Sequence, residues 1–281
     1  MISRPTAGTR QHHLPAALIG RFGKSASSGR PRDAIVAIRD RNAPSVCFDR
    51  AANIGWELGL YDRDPRPDGT IETVDDTWEW LEARLGPTTE RLLRRAALSE
   101  DLEVLHHYIA GSGVRHLTFA EHANLERATF RLGEATRSQV QHHRVETFEE
   151  TLNALRFWGI RILHRPDDGS PFVISDFGWA KCSILDGPTA WVWPISPEVA
   201  VLGYENAGRF GSNHLCGVDA HFVVTPAVID VMNATMWDEK DTTWVVTEPE
   251  NAGYLERLEE LRETPWPWLG PYRGRRGGLF D

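Results

Sequence analysis

Three carboxylates, Asp75, Glu79 and Glu82, fall at i, i+4 and i+7 in a stretch where Val74, Trp78, Leu81 and Leu85 recur at helical spacing. On a 3.6-residue period this puts the acids side by side, next to an apolar stripe. Like charges so placed repel unless a cation lies between them. A divalent metal held by hard oxygen ligands would serve, and so would an arginine; a solvated acidic face is the remaining reading. The metal reading assigns Asp75 and Glu82 as ligands of magnesium or manganese.

Histidine supplies a second kind of chemistry. Adjacent pairs occur at His12-His13, His106-His107 and His142-His143. Neighbouring side chains diverge on a strand or helix, so one member of each pair at most reaches a common centre. His12 grouped with carboxylates would suit a general base or a transition metal. A third candidate is Asp176, at the end of the apolar run Phe172-Val-Ile-Ser-Asp176, where a strand delivers a carboxylate to the rim of a sheet. Asp176-Phe-Gly178 is no kinase signature, because the glycine-rich loop, strand lysine and His-Arg-Asp loop are missing. Phosphate-loop, dinucleotide, nucleophile-elbow and His-Glu-x-x-His motifs are missing as well. Gly208-Arg-Phe-Gly-Ser212 is too weak to use.

Several elements must position these residues. Ala34 to Asp40 alternates like a strand. Helices are expected over Glu72 to Leu98, broken or kinked at Gly86-Pro87, then over Ser99 to Gly111, Phe119 to Gly133 and Thr147 to Trp158. The runs Pro171 to Ala180, Thr189 to Tyr204 and Thr242 to Pro249 are β-prone, with one helix over Pro226 to Met236. The expected fold is α+β, with an α-rich N-terminal half (34–160) followed by a β-rich C-terminal half (170–250). It forms a single compact domain with an N-terminal arm, and residues 1–33 and 270–281 are basic terminal segments.

Composition narrows the function classes. The 281 residues carry a net charge of −9, with 41% hydrophobic and 25% charged residues, as in an ordinary globular protein. That balance argues against a dedicated nucleic-acid binder, yet positive charge gathers at both ends, from Arg4 to Arg41 and at Arg273, Arg275 and Arg276. Converging termini would make a phosphate-facing patch, so nucleic acid or another phosphate-bearing ligand is the expected partner. No apolar run is long enough for a membrane span and no secretory leader is recognisable, so a cytoplasmic protein without membrane contact is expected. Cys47, Cys182 and Cys216 fit neither a disulfide framework nor a thiolate zinc site and are expected to be buried thiols. The eleven tryptophans point to aromatic-lined crevices.

The order of these pieces resembles the bacterial family catalogued as domain of unknown function 4238. Its opening Gln-His-Tyr-Val-Pro segment and following Tyr/Leu-Leu-Arg-x-Phe ending are similar to Gln11-His12-His13-Leu14-Pro15 and Leu18-Ile19-Gly20-Arg21-Phe22, with His13 in the tyrosine place. The acidic helix resembles Val74 to Glu82, with aspartate for the first glutamate. A Gln-x-x-Arg helix ending resembles Ser112 to Arg115, keeping the arginine without the glutamine; Phe172 to Gly178 matches a Ser-Asp motif without its usual Asn-Pro, Pro194-Ile-Ser-Pro197 matches a Pro-Leu-Ser-Pro motif, and Asn233 matches a late asparagine. The resemblance carries no assigned activity; on a hydrolase reading His12, Arg115 and Asp176 form the catalytic set. That reading takes Arg21, Ser175 and Asn233 as substrate contacts, while the resemblance makes His12, not His13, the residue of interest. Two functions follow as expectations. One is a hydrolase, a metal-assisted phosphodiesterase or nuclease with a His/carboxylate/Arg site. The other is a non-catalytic binding or regulatory module whose motif residues form a buried polar network.

Overall fold

The computed structural model describes residues 9–24, 29–183, 189–205, 221–239 and 241–263. Four short strands come first: β1 (Arg10–His12), β2 (Ile35–Asp40), β3 (Cys47–Arg50) and β4 (Trp56–Leu58), with the helical turn α1 (Ala16–Ile19) after β1. The helical block follows as α2 (Asp76–Leu93), α3 (Ser99–Arg115), α4 (Phe119–Thr129) and α5 (Arg137–Leu155). Strands return as β5 (Trp158–His164), β6 (Ile174–Ser175), β7 (Ala180–Ser183), β8 (Thr189–Ser196), β9 (Val199–Glu205) and β10 (His221–Val223). Then come α6 (Pro226–Asp238), β11 (Trp244–Thr247), α7 (Ala252–Glu256) and α8 (Leu258–Glu263).

The fold is thus mixed helix and sheet, but its elements interleave. The expected split into a helical first half and a stranded second half does not describe it, since β1 to β4 precede the helices and α6 to α8 sit among and after the later strands. The strands form three sheets, β1-β4, β10-β5-β9-β8-β7 and β3-β2-β11-β6, antiparallel except for the β10–β5 pair. The expected N-terminal arm is not an arm over its described part. Leu14, Leu18, Ile19 and Phe22 are core residues, because an apolar run this dense gains more by burial than by solvation.

Helix α2 also departs from expectation, running unbroken through Gly86-Pro87. Proline forfeits one backbone bond, at a cost of about 3 kcal/mol. Leu81, Leu85, Thr88, Thr89 and Leu92 are buried on both sides of it, and continuous burial outweighs that loss. Arg21 Nη2 satisfies the Gly86 carbonyl at 2.9 Å. The apolar stripe of α2 packs on α3 and α5, with the Trp78 ring edge-on to Phe148 at 5.1 Å. Trp158, Trp179 and Trp193 line an apolar cavity of about 80 Å³ beside α3 and α5.

Two backbone features fix the neighbourhood of the site. β11 lies between β2 and β6, so Val245 is paired with both Arg39 and Ser175, and Asp176 N donates to Trp244 O at 3.2 Å. Gly55 and Gly178 adopt φ of +68° and +74°, where a side chain is strained. A Cβ on Gly178 would also stand 2.9 Å from the Leu14 side chain. Cys47, expected to be buried, is exposed, since β3 is an edge strand with solvent beyond it.

Candidate functional site

Two polar clusters meet at the C-terminal end of α3. The first is built on Arg115, whose side chain is only 2% exposed. Its Nη2 donates to the His12 carbonyl at 2.7 Å and to Glu82 Oε1 at 2.6 Å, and its Nε donates to the Tyr61 hydroxyl at 3.2 Å. Tyr61 in turn donates to the His12 carbonyl at 3.0 Å. Gln11 closes the other side. Its Oε1 accepts from Tyr61 N at 2.6 Å, while Nε2 donates to Asp62 at 3.1 Å and Thr73 at 3.0 Å. These groups largely satisfy one another, as buried polar groups must.

The second cluster joins the ends of β1, α3 and β6. His13, anchored by His13 N donating to Gly55 O at 2.9 Å, is buried and meets His116 edge-to-face at 5.4 Å. The His116 ring stacks on Phe177 at 3.7 Å. Its Nδ1 accepts from Thr118 N at 3.3 Å and lies 2.9 Å from Thr118 Oγ1. A ring nitrogen that accepts from a backbone N–H carries no proton, so the His116 proton resides on Nε2, which faces Asp176 Oδ2 at 3.9 Å. Asp176 Oδ2 accepts from Thr243 N at 2.8 Å and Thr243 Oγ1 at 2.6 Å. Thr243 is exposed, so Asp176 lies one side chain beneath the surface.

The second cluster is less completely paired than the first. Both ring nitrogens of His13, Nε2 of His116 and Oδ1 of Asp176 are buried without a hydrogen-bond partner, as are Nη1 of Arg115 and Nε of Arg144 next door. Burial pushes the His13 imidazole well below its ordinary pKa, and the neighbouring His116 and Arg115 push the same way, so the ring is neutral at physiological pH. Arg144, on α5, lies with its guanidinium carbon 5.2 Å from the Tyr61 ring and 4.8 Å from Phe119. Its Nη1 donates to the Val114 carbonyl.

The residues singled out from sequence separate as follows. Arg115, Glu82 and His12 converge, but His12 contributes its carbonyl. Its ring stands 3.4 Å from Ala52 O, and burial lowers its pKa. Asp75 occupies the N-cap position of α2, half-buried, with its backbone N–H donating to Thr73 Oγ1 at 3.2 Å. Asp176 sits in the second cluster. Ser175, next to it on β6, is fully buried with its hydroxyl unpartnered. Arg21 lies apart, in an ion pair with Glu90 at 2.8 Å. Asn233 lies apart too, bonded to Val173 N at 3.1 Å, Pro171 O at 2.7 Å and Tyr254 at 2.8 Å, where it fastens the segment leading into β6.

For a divalent metal the fit is poor. Glu82 is committed to Arg115, and among the described residues no group of three or more His, Cys, Asp or Glu side chains is placed to hold a metal ion. Of the basic N-terminal residues, Arg10 stacks on Trp56 at 4.0 Å and Arg41 donates to Glu239 O at 3.0 Å. Arg4, Arg273, Arg275, Arg276, Cys216 and the Gly208 segment lie outside the described residues. No family model, curated protein or solved structure matches the chain.

The sequence reading missed His13, His116 and Arg144. Arg144 carried a usable signal: it lies at i+4 from Val140 and i−4 from Phe148, both buried, so it occupies the apolar stripe of α5. No helix among the described residues is long and apolar enough to cross a membrane.

Proposed function

We propose that the protein is a hydrolase of the phosphodiesterase class that works by acid–base catalysis at His13, His116 and Asp176, with no step routed through a metal. The observation that carries this reading is the set of buried, unpartnered polar atoms on these three residues, beside an Arg115 network that is largely but not fully paired. A purely structural cluster pairs its members, whereas a site is completed by its ligand. In this scheme neutral His13 takes a proton from the attacking water as its oxygen bonds to phosphorus. The phosphorus–oxygen bond to the leaving group then breaks, and the His13 imidazolium returns the proton to that oxygen. His116 Nε2–H and Arg115 Nη1–H supply hydrogen bonds to the negative charge that develops, and Thr118 keeps His116 in the required tautomer. Asp176, whose Oδ2 faces the same nitrogen at 3.9 Å, favours the proton's residence there.

The mutual satisfaction of Gln11, Tyr61, Arg115 and Glu82 favours a second reading, a non-catalytic module with a purely structural polar network. One experiment separates the two. Labelled single- and double-stranded RNA and DNA are incubated with the full chain in chelator, alongside His13→Gln and Asp176→Asn. Cleavage in chelator, reduced about 100-fold or more by His13→Gln, is expected from the loss of a general base. A folded wild type that cleaves none of these substrates, or equal cleavage by His13→Gln, overturns the proposal.

A further inference from the structure

Arg144 is 1% exposed, yet among the described residues no carboxylate lies within 4.0 Å of its guanidinium. An unpaired buried charge is among the costliest arrangements a fold can hold. Elsewhere the chain avoids it: Arg91 meets the buried Asp101 through both Nε and Nη2, and Arg115 has Glu82. Around Arg144 the chain instead sets the Tyr61 and Phe119 rings, the Val114 carbonyl and a second cation, Arg115. Burial lowers its pKa to about 10, with Arg115 acting in the same direction. It still carries full charge at neutral pH. Two further carboxylates of the neighbourhood are engaged elsewhere, Glu82 by Arg115 and Asp176 Oδ2 by Thr243.

We propose that Arg144 and Arg115 form an oxyanion subsite that receives a phosphate group of the ligand, with Arg144 Nε, Arg115 Nη1 and a ring nitrogen of His13 as its donors. All three donors are buried without partners, and they come from α5, α3 and the segment after β1. Donors arriving from three elements suit a tetrahedral phosphate, which offers oxygens in several directions. A planar carboxylate accepts mainly near its own plane, so donors from three directions fit it less well. This inference rests on reading the second cluster as a ligand site, and it names what that site takes.

The test uses inorganic phosphate, titrated calorimetrically into the full chain at pH 7.5, with acetate in a parallel arm and thermal unfolding as a second readout. Saturable one-to-one phosphate binding with a raised Tm is expected, with acetate at least tenfold weaker. Arg144→Met should weaken phosphate at least tenfold. If Arg144→Met does not fold, Arg144→Lys, which keeps the charge and loses the Nε–H, should show the same tenfold loss. No phosphate binding by folded wild type, equal binding by the Arg144 variants, or acetate as tight as phosphate overturns the subsite. Phosphate binding by a wild type that cleaves nothing removes the hydrolase reading and leaves the subsite standing.

Discussion

Replacing Tyr61 by phenylalanine tests whether the first cluster holds the site together. The ring stays, so the aromatic faces presented to Arg115 at 5.8 Å and Arg144 at 5.2 Å stay too. The lost hydroxyl accepted from Arg115 Nε at 3.2 Å and donated to His12 O at 3.0 Å. The His12 carbonyl is still served by Arg115 Nη2 at 2.7 Å, so its loss is small. Arg115 Nε, however, is stranded in a buried place on a charged group. Hydrogen bonds to charged groups contribute about 1.5–3 kcal/mol, and removing a buried hydroxyl returns roughly 0.5–1 kcal/mol of desolvation, which leaves a net loss of about 1–2 kcal/mol. For a chain of this size that lowers Tm by about 2–8 °C. Urea titration followed by tryptophan fluorescence should show a lower midpoint at an unchanged slope. Combining the change with Glu82→Gln should give a coupling of about 0.5–1 kcal/mol or more, because both act on one guanidinium. A loss below about 0.5 kcal/mol, or strict additivity with Glu82→Gln, would show that Arg115 is not held by this network.

Two further outcomes are expected. His106 and His164 have their pKa lowered from 6.5 to about 4, chiefly by burial, so the unfolded chain takes up protons first as pH falls. Their contribution is complete above pH 6.5 and is lost between 6.5 and 4, by at most about 1.4 kcal/mol per pH unit per histidine; urea midpoints at pH 7.5, 6 and 5 should fall, less steeply in His164→Asn, and an identical decline in the variant refutes the assignment. Manganese titrated into wild type should release no saturable heat, because Glu82 already holds Arg115; heat that disappears in Asp75→Asn/Glu82→Gln would restore the metal site expected from the sequence.

Elements with a full period were legible in the sequence. Strand β2, helices α3, α4 and α6 and the β8–β9 pair arise where the pattern of apolar residues places them, with ends shifted by a few residues, whereas α5 begins at Arg137, well before the expected Thr147. What failed was the reading of single residues against their surroundings. Pro87 predicts a break in α2, but the buried residues on either side of it belong to one continuous packing surface, which local propensity does not register. The interleaving of elements depends on which strand joins which sheet, as when β11 slots between β2 and β6, and that is a matter of long-range pairing.

The candidate site divides along the same line. Three carboxylates at helical spacing called for a cation, and one of them, Glu82, meets Arg115, one of the two cations the spacing allowed. His12 and His13 could not be separated by sequence, because the phase of a three-residue strand is set by its partner. β1 pairs Gln11 with Glu57 and His12 with Trp56, which buries Gln11 and turns the following His13 inward against His116. A single-residue slip in that register would exchange the two faces and put the His12 ring into the polar cluster instead. His13 is thereby the residue whose two ring nitrogens are buried without hydrogen-bond partners beside Arg115 and His116. A tyrosine there could offer one hydroxyl but no base at neutral pH, whereas a neutral imidazole both accepts and donates.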